Sequence, residues 1–267
     1  MLQRLSVPSG SNIIKKCLLV SNSAVIKDNR LVYVEPDIDS FYLGTYDDVA
    51  YYCKSTTEQT RERDFMFLKG IELELAVVAK SLMNFHDLIQ FCACCGNKVN
   101  SEALFDGFKK VCTNTKCITH TKTINISHPR VDPVVIVMIN YKSKFLLGRK
   151  STFPTGFYSL VSGFIDLGES VETAVKRECL EETGYSVENV KYVSSQAWPF
   201  PSQLMIGCTA ECVDMNQKQR DDELEDLKWV SYEQLKDALN QTGNFKVPPT
   251  GSISNFMMQH ALREAKL

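Results

Sequence analysis

The chain has 267 residues, 44% of them hydrophobic and 23% charged, a balance that excludes a disordered or collagen-like polymer. With 30 Lys+Arg against 32 Asp+Glu the formal charge is −2, so no global positive field draws in nucleic acid. The longest apolar run, around Val134–Ile139, falls far short of the roughly 20 residues a membrane span needs. Lys15 and Lys16 interrupt the apolar stretch nearest the N-terminus, which argues against a signal peptide. The expectation is a soluble, intracellular, globular protein, long enough to build its core without disulfides.

Residues 1 to about 70 carry short β-rich runs, Cys17–Val20, Leu31–Val34 and Val49–Cys53, between clusters of Asn, Asp, Ser and Gly. The charged stretch Arg61–Asp64 reads as a solvated face. Gly70 opens a predicted helix over Ile71–Gln90, with Leu75, Val78, Leu82, Phe85 and Leu88 at helical spacing.

A cysteine-rich ribbon follows. Five of the 10 cysteines fall within residues 92 to 117, and four of these form two close pairs: Cys92 with Cys95, and Cys112 with Cys117. Two thiolate pairs on separate turns meet naturally at one tetrahedral Zn²⁺, and Gly96 suits the turn that such a knuckle makes. Four thiolates leave no position for a substrate, so the expected zinc is structural and contributes folding free energy. Three domains are therefore expected: a β-rich N-terminal domain ending in a helix over 1–88, a zinc ribbon over 89–125, and a third domain over 126–267.

In the third domain, predicted strands at Val134–Ile139, Phe145–Gly148 and Tyr158–Ser162 lead into a helix from about Val171 to Thr183. Strands at Val190–Ser194, Leu204–Cys212 and Lys228–Val230 and a helix around Ile253–Glu264 complete the chain. Ser170 is the expected N-cap of the first helix, and Gly184 lies just past its end. At 100° per residue Glu178 and Glu182 lie about 40° apart on one face, which they share with Val171, Ala174 and Val175. Glu181 sits at the flank. Carboxylates on the inward stripe are expensive unless a cation joins them, and oxygen ligands of this kind suit Mg²⁺ or Mn²⁺.

The same residues spell a family signature. Gly163, Glu169, Arg177, Glu178, Glu181, Glu182 and Gly184 stand at the seven fixed positions of the Nudix box, which this segment resembles. At ordinary residue usage such a match arises by chance on the order of 10⁻⁹ times per starting position. Cys179 and Tyr185 stand where bulky aliphatics are usual. The resemblance implies an α+β fold, the α/β/α Nudix sandwich with a mixed sheet, here preceded by a zinc ribbon and a β-rich N-terminal domain. It implies hydrolysis of a nucleoside diphosphate linked to another moiety, with two or three Mg²⁺ or Mn²⁺ ions per site. By position, Glu178 and Glu182 would hold metal, Glu181 would support a metal or serve as base, and Arg177 would hold a box carboxylate, Glu169, in place. The carbonyl oxygen of Ser162 matches a further metal-ligating position, and Glu223, in the acidic run Asp222–Asp226, a third carboxylate ligand.

Downstream runs Ser195, Gln196, Ala197, Trp198, Pro199, Phe200, Pro201, Ser202, Gln203, Leu204, Met205. Two prolines around an aromatic make a stiff loop, and Gln196 and Ser202 offer amide and hydroxyl groups to a polar ligand. The run resembles the signature of the NAD(H) pyrophosphatase branch of the family, with Ala197 in place of its first proline and Gln203 in place of its second serine. That branch also carries a four-cysteine zinc ribbon and forms homodimers. The resemblance implies that NAD(H) is split into AMP and nicotinamide mononucleotide, and the same bond cleavage would remove an NAD cap from RNA. Phe164 would stack on a base, and His128 and Ser254 match other substrate-lining positions. Ala265-Lys266-Leu267 resembles the Ser-Lys-Leu peroxisomal address, against a cytoplasmic location without it. Two alternatives stay open: a Nudix pyrophosphatase of ADP-ribose, coenzyme A or dinucleoside polyphosphates, and a non-catalytic zinc-ribbon module that binds nucleic acid.

Overall fold

The apolar run around Val134 forms the central strand of a mixed sheet in the computed structural model. The structure describes residues 2–3, 13–21, 24–28, 30–58, 65, 68–101, 107–118 and 126–265. Arg61–Asp64, Lys266 and Leu267, singled out above, lie outside the described residues. The chain divides into two compact units, one of residues 1–131 with 199–202, the other of residues 132–198 with 203–267.

In the first unit, strands β1 (Ile14–Val20), β4 (Tyr33–Val34), β5 (Phe41–Tyr46) and β6 (Val49–Ser55) make a sheet of order β4-β1-β6-β5; the short β2 (Ile26–Lys27) and β3 (Arg30–Leu31) pair separately. Strand β5 is absent from the sequence reading, because Gly44 interrupts its pattern; Gly44 sits at φ 151 where the β5–β6 register shifts. Helix α1 (Gly70–Leu88) buries Leu75, Ala79, Leu82 and Phe85. Leu88 leaves the expected stripe and is exposed. The cysteine ribbon forms β7 (Val99–Ser101), β8 (Lys110–Cys112) and β9 (Ile126–Ser127). Lys110, buried in β8, donates to the carbonyls of His86 at 2.9 Å and Ile89 at 2.5 Å, and so satisfies the C-terminal carbonyls of α1.

The second unit contains β10 (Asp132–Tyr141), β11 (Lys144–Lys150), β12 (Val161–Phe164), α2 (Val171–Thr183), β13 (Val187–Trp198), β14 (Gln203–Cys212), β15 (Leu224–Ser231), α3 (Tyr232–Leu239) and α4 (Ile253–Glu264). Its sheet runs β13-β14-β10-β11-β15, with β12 also paired to β10. The β10–β14 pair is parallel and the others are antiparallel. Residues 134–139 are buried on both sides of the sheet, as expected for a central strand covered on two faces. Val135, Val137 and Ile139 pack with Ala174, Val175 and Cys179 of α2. Ile136 and Met138 pack with Leu235 of α3 and Met257 and Met258 of α4. Helix, sheet and helix are thus the three layers of an α/β/α sandwich.

Four expected strands change most: Leu31–Val34 divides between β3 and β4 in separate sheets, Lys228–Val230 lengthens to Leu224–Ser231, and two more differ near the site. The run Tyr158–Ser162 becomes a strand only from Val161, and Ser159 makes an isolated bridge to Gly148. The run Val190–Ser194 extends to Val187–Trp198, so Ser195–Trp198 are sheet residues and the stiff loop begins at Pro199. Helix α3 has no counterpart in the sequence reading, although its Ser231 and Gln234 form a reciprocal capping box.

Candidate active site and cysteine centre

Helix α2 starts where Ser170 accepts a hydrogen bond from the Thr173 amide and stops at Gly184, whose φ of 74 permits the left-handed cap. Between those caps Ala174, Val175, Glu178, Cys179 and Glu182 face inward. Glu178 is 8% exposed and Glu182 1% exposed, so the apolar stripe carries two acids into the interior. Glu181 points outward, its side chain 51% exposed.

Arg177 organises the exposed edge. Its guanidinium donates to both oxygens of Glu169 (2.7 and 2.8 Å), to Glu178 Oε1 (2.8 Å), to Glu181 Oε2 (2.9 Å) and to the carbonyl of Phe164 (2.8 Å). The guanidinium holds the Glu169 carboxyl down at about 2, helped by the Asp166 amide. Glu178 has its carboxyl raised by burial, with Arg177 acting in the opposite direction. Its carboxyl lies against the backbone of β12: a β-carbon on Gly163 would fall 2.0 Å from Glu178 Cδ. Only glycine leaves that space.

Glu182 has no such support. Neither of its carboxylate oxygens has a hydrogen-bond donor among the described residues. Burial, with the acids Glu223 and Glu178 nearby, pushes its carboxyl up to about 8, although the Lys150 ammonium acts in the opposite direction. That ammonium stands 3.9 Å from Glu182 Oε1 and forms an ion pair with Glu223, whose side chain is 49% exposed. A buried carboxylate without donors is costly as an anion, and the cradle above Gly163 supplies hard oxygen atoms. The donor set fits a divalent cation such as Mg²⁺ or Mn²⁺. Lys150 was not singled out in the sequence, although Arg149-Lys150 at a strand end and the acidic run Asp221–Asp226 have complementary charge.

Other expected site residues are distributed as follows. In the second unit Phe164 is 51% exposed on β12. Gln196 uses its amide internally: it donates to the Gly251 carbonyl at 2.8 Å and accepts from the Ile253 amide at 2.7 Å, and so pins the turn that leads into α4. Ser254, 4% exposed, meets Ser159 Oγ at 3.1 Å. Ala197 and Trp198 lie in β13 opposite Leu204 and Gln203. Ser162 lies in β12 opposite Ile136. In the first unit Asn84 of α1 donates to the carbonyls of Pro199 (3.3 Å) and Pro201 (2.9 Å), and the Phe200 ring lies 5.4 Å from that of Phe65. His128 and Ser202 line one cavity of about 150 Å³ with Asn84, Arg130 and Pro201.

The cysteine centre belongs to the first unit. The sulfurs of Cys92, Cys95, Cys112 and Cys117 all lie within 4.8 Å of one another, with Cys95 and Cys112 3.5 Å apart and Cys92 and Cys117 4.0 Å apart. Sulfurs arranged tetrahedrally about 2.3 Å from a zinc ion are about 3.8 Å apart, so the set fits zinc. Gly96 at φ 72 makes the first turn, and its amide donates to the Cys92 carbonyl. Cys94 is exposed and outside the set. Among the described residues these four cysteines form the group of three or more metal-binding side chains drawn this close. Glu178, Glu182 and Glu223 are not gathered to that degree, and Arg177 and Lys150 pair with them.

Comparison with known proteins agrees with this architecture. Residues 129–250 match the NUDIX domain family. The chain is 40% identical over 200 residues to the NAD-capped RNA hydrolase NUDT12 of Homo sapiens, covering 73% of this chain and 43% of that protein. It is 37% identical over 190 residues to the mitochondrial NAD(P)H pyrophosphatase NUDT13 of Mus musculus, covering 68% of this chain and 50% of that protein. The chain therefore spans about half the length of the curated relatives it matches. The crystal structure of a NUDIX hydrolase from Nitrosomonas europaea shares the fold, with a TM-score of 0.50 and 18% identity over 66% of this chain and 92% of that one.

Proposed function

Because the chain carries a Nudix domain over residues 129–250, we propose that it hydrolyses the pyrophosphate bond of NAD(H), giving AMP and nicotinamide mononucleotide. By the same cleavage it removes NAD caps from RNA 5′ ends. The observation that carries this reading is Glu182, a buried carboxylate without a hydrogen-bond donor among the described residues, one helical turn from Glu178 in its glycine cradle. Glu178, Glu182, Glu223 and the Ser162 carbonyl are the groups that would hold two or three Mg²⁺ or Mn²⁺ ions. When bound, such ions neutralise a diphosphate and lower the pKa of a coordinated water. Arg177 keeps Glu178, Glu181 and Glu169 in fixed positions, and Glu181, half-exposed, takes up the proton of the attacking water. Phe164 offers an exposed ring to a nucleobase. In the first unit His128 and the Pro199–Ser202 segment are candidate substrate contacts, and in the second Gln196 and Ser254 shape the turn at the start of α4. Cys92, Cys95, Cys112 and Cys117 hold one structural zinc, and the protein acts as a homodimer.

The test is a panel of NADH, NAD⁺, ADP-ribose, coenzyme A and NAD-capped RNA, each with Mg²⁺ and with Mn²⁺. Release of AMP from NAD(H), and of nicotinamide mononucleotide from NAD-capped RNA to leave a 5′-monophosphate end, is expected, and Glu178→Gln should abolish both with fold and zinc content intact. Preferential cleavage of ADP-ribose or coenzyme A would replace the substrate, and full activity of Glu178→Gln would remove the ligand assignment.

A further inference from the structure

Two cations stand among the carboxylates, and they are held very differently. Arg177 is a strut: its planar fork is fixed by Glu169, Glu178, Glu181 and the Phe164 carbonyl. Lys150 ends β11 at a bulge, where Arg149 pairs with Asp226 and Lys150 with Leu224, so that Glu225 is skipped. The bulge sets Arg149 against Glu225 and Lys150 against Glu223. The ammonium of Lys150 thus touches an exposed carboxylate on one side and, at 3.9 Å, stands just outside hydrogen-bond reach of the buried Glu182 on the other. It is a compact charge on a four-carbon stem, 31% exposed and hydrogen-bonded to one acid, whereas the guanidinium is a planar fork bonded to four residues.

We propose that Lys150 is a positioning residue whose ammonium occupies the place between Glu182 and Glu223 that a divalent cation enters, so that entry of the ion and departure of Lys150 are a single exchange. The inference rests on the metal-binding reading above and adds a residue to it. Before the exchange, one positive charge keeps a buried and an exposed acid facing each other. A divalent ion offers the same oxygens twice the charge and repels the ammonium, which moves outward along its stem. Lys150 therefore lowers the apparent affinity for the ion while it keeps the centre assembled without one.

The test is Mn²⁺ binding to the full chain, followed by electron paramagnetic resonance with no substrate present. Lys150→Met is expected to bind Mn²⁺ roughly tenfold more tightly than the wild type, because a competing charge has gone. Lys150→Arg should stay within about threefold of wild type, because the charge is kept. Metal-free Lys150→Met should also melt below the wild type, and saturating Mn²⁺ should close the gap. Unchanged or weaker Mn²⁺ binding by a folded Lys150→Met would overturn the exchange and leave Lys150 a structural partner of Glu223. Should Lys150→Met fail to fold, Lys150→Gln is read by the same criteria. The substrate panel is independent of this measurement. The tenfold shift without NAD(H) hydrolysis would keep the exchange and remove the substrate class, and a wild type that binds no Mn²⁺ would overturn both.

Discussion

The carboxyl group of Glu178 occupies the space that a side chain on Gly163 would fill, with Cδ 2.0 Å from the position of a β-carbon there. An acid on α2 and a glycine on β12 are thereby locked together across the helix–sheet interface. Gly163→Ala must push Glu178 out of its cradle. Displacement of a reacting group by about 1 Å can lower turnover by roughly 100-fold. A loss of that size is expected in kcat, with far-ultraviolet circular dichroism unchanged; an active Gly163→Ala would show that the position of Glu178 is irrelevant.

Glu182 makes the metal-free protein sensitive to alkali. Its carboxyl is raised to about 8 in the folded chain against an ordinary 4.5, so the folded state holds a proton that the unfolded state has released. The contribution is fully present below pH 4.5 and is lost as the pH rises to about 8. With chelator present, the Tm of the wild type should fall over that window more steeply than that of Glu182→Gln. Parallel curves would contradict the placement of Glu182.

His86 gives the first unit the opposite dependence. Burial drives its imidazole down to about 4 from 6.5, with Lys110 assisting and the bond to the Gly107 carbonyl opposing. The folded state therefore resists a proton that the unfolded state accepts, and the stability is complete above pH 6.5 and disappears as the pH falls to about 4. The difference corresponds to roughly 3 kcal/mol. His86→Gln, with no charge to gain, should show a shallower decline over that range in denaturant titrations.

Loss of metal from the cysteine centre should be felt in α1. Lys110 lies two residues from Cys112 on β8, and its ammonium closes the last carbonyls of the helix. Cys95→Ser, or zinc chelation, is expected to lower the Tm and to speed amide hydrogen exchange in α1 and β8. Exchange in β10 and β14 should hardly change. Uniform loss of protection through both units would refute the local coupling.

Much of the centre was legible from local patterns. Ser170 and Gly184 bound α2 within one segment of chain, and the spacing of Glu178 and Glu182 sets their common face by helix geometry alone. The cysteine spacing likewise draws ligands together through tight turns. The pairing of Arg177 with Glu169 spans eight positions, and Arg177 reaches back along its own helix to the residue just before the Ser170 cap.

What escaped the sequence depends on partners far along the chain. Lys150 meets Glu223 only because β11 pairs with β15, and the bulge there decides which acid it faces. Gln196 reads in sequence as an open amide for a ligand, yet its two polar atoms go to Gly251 and Ile253, 55 and 57 residues away. The sequence by itself determined the capped acidic helix and the two close cysteine pairs, since each follows from spacing within one short stretch of chain. The tertiary structure alone decided that Glu182 is buried without a donor among the described residues, that Glu181 is not buried, and that Lys150 stands beside two acids. Burial and strand register are properties of the packed sheet, and no local stretch of chain encodes them.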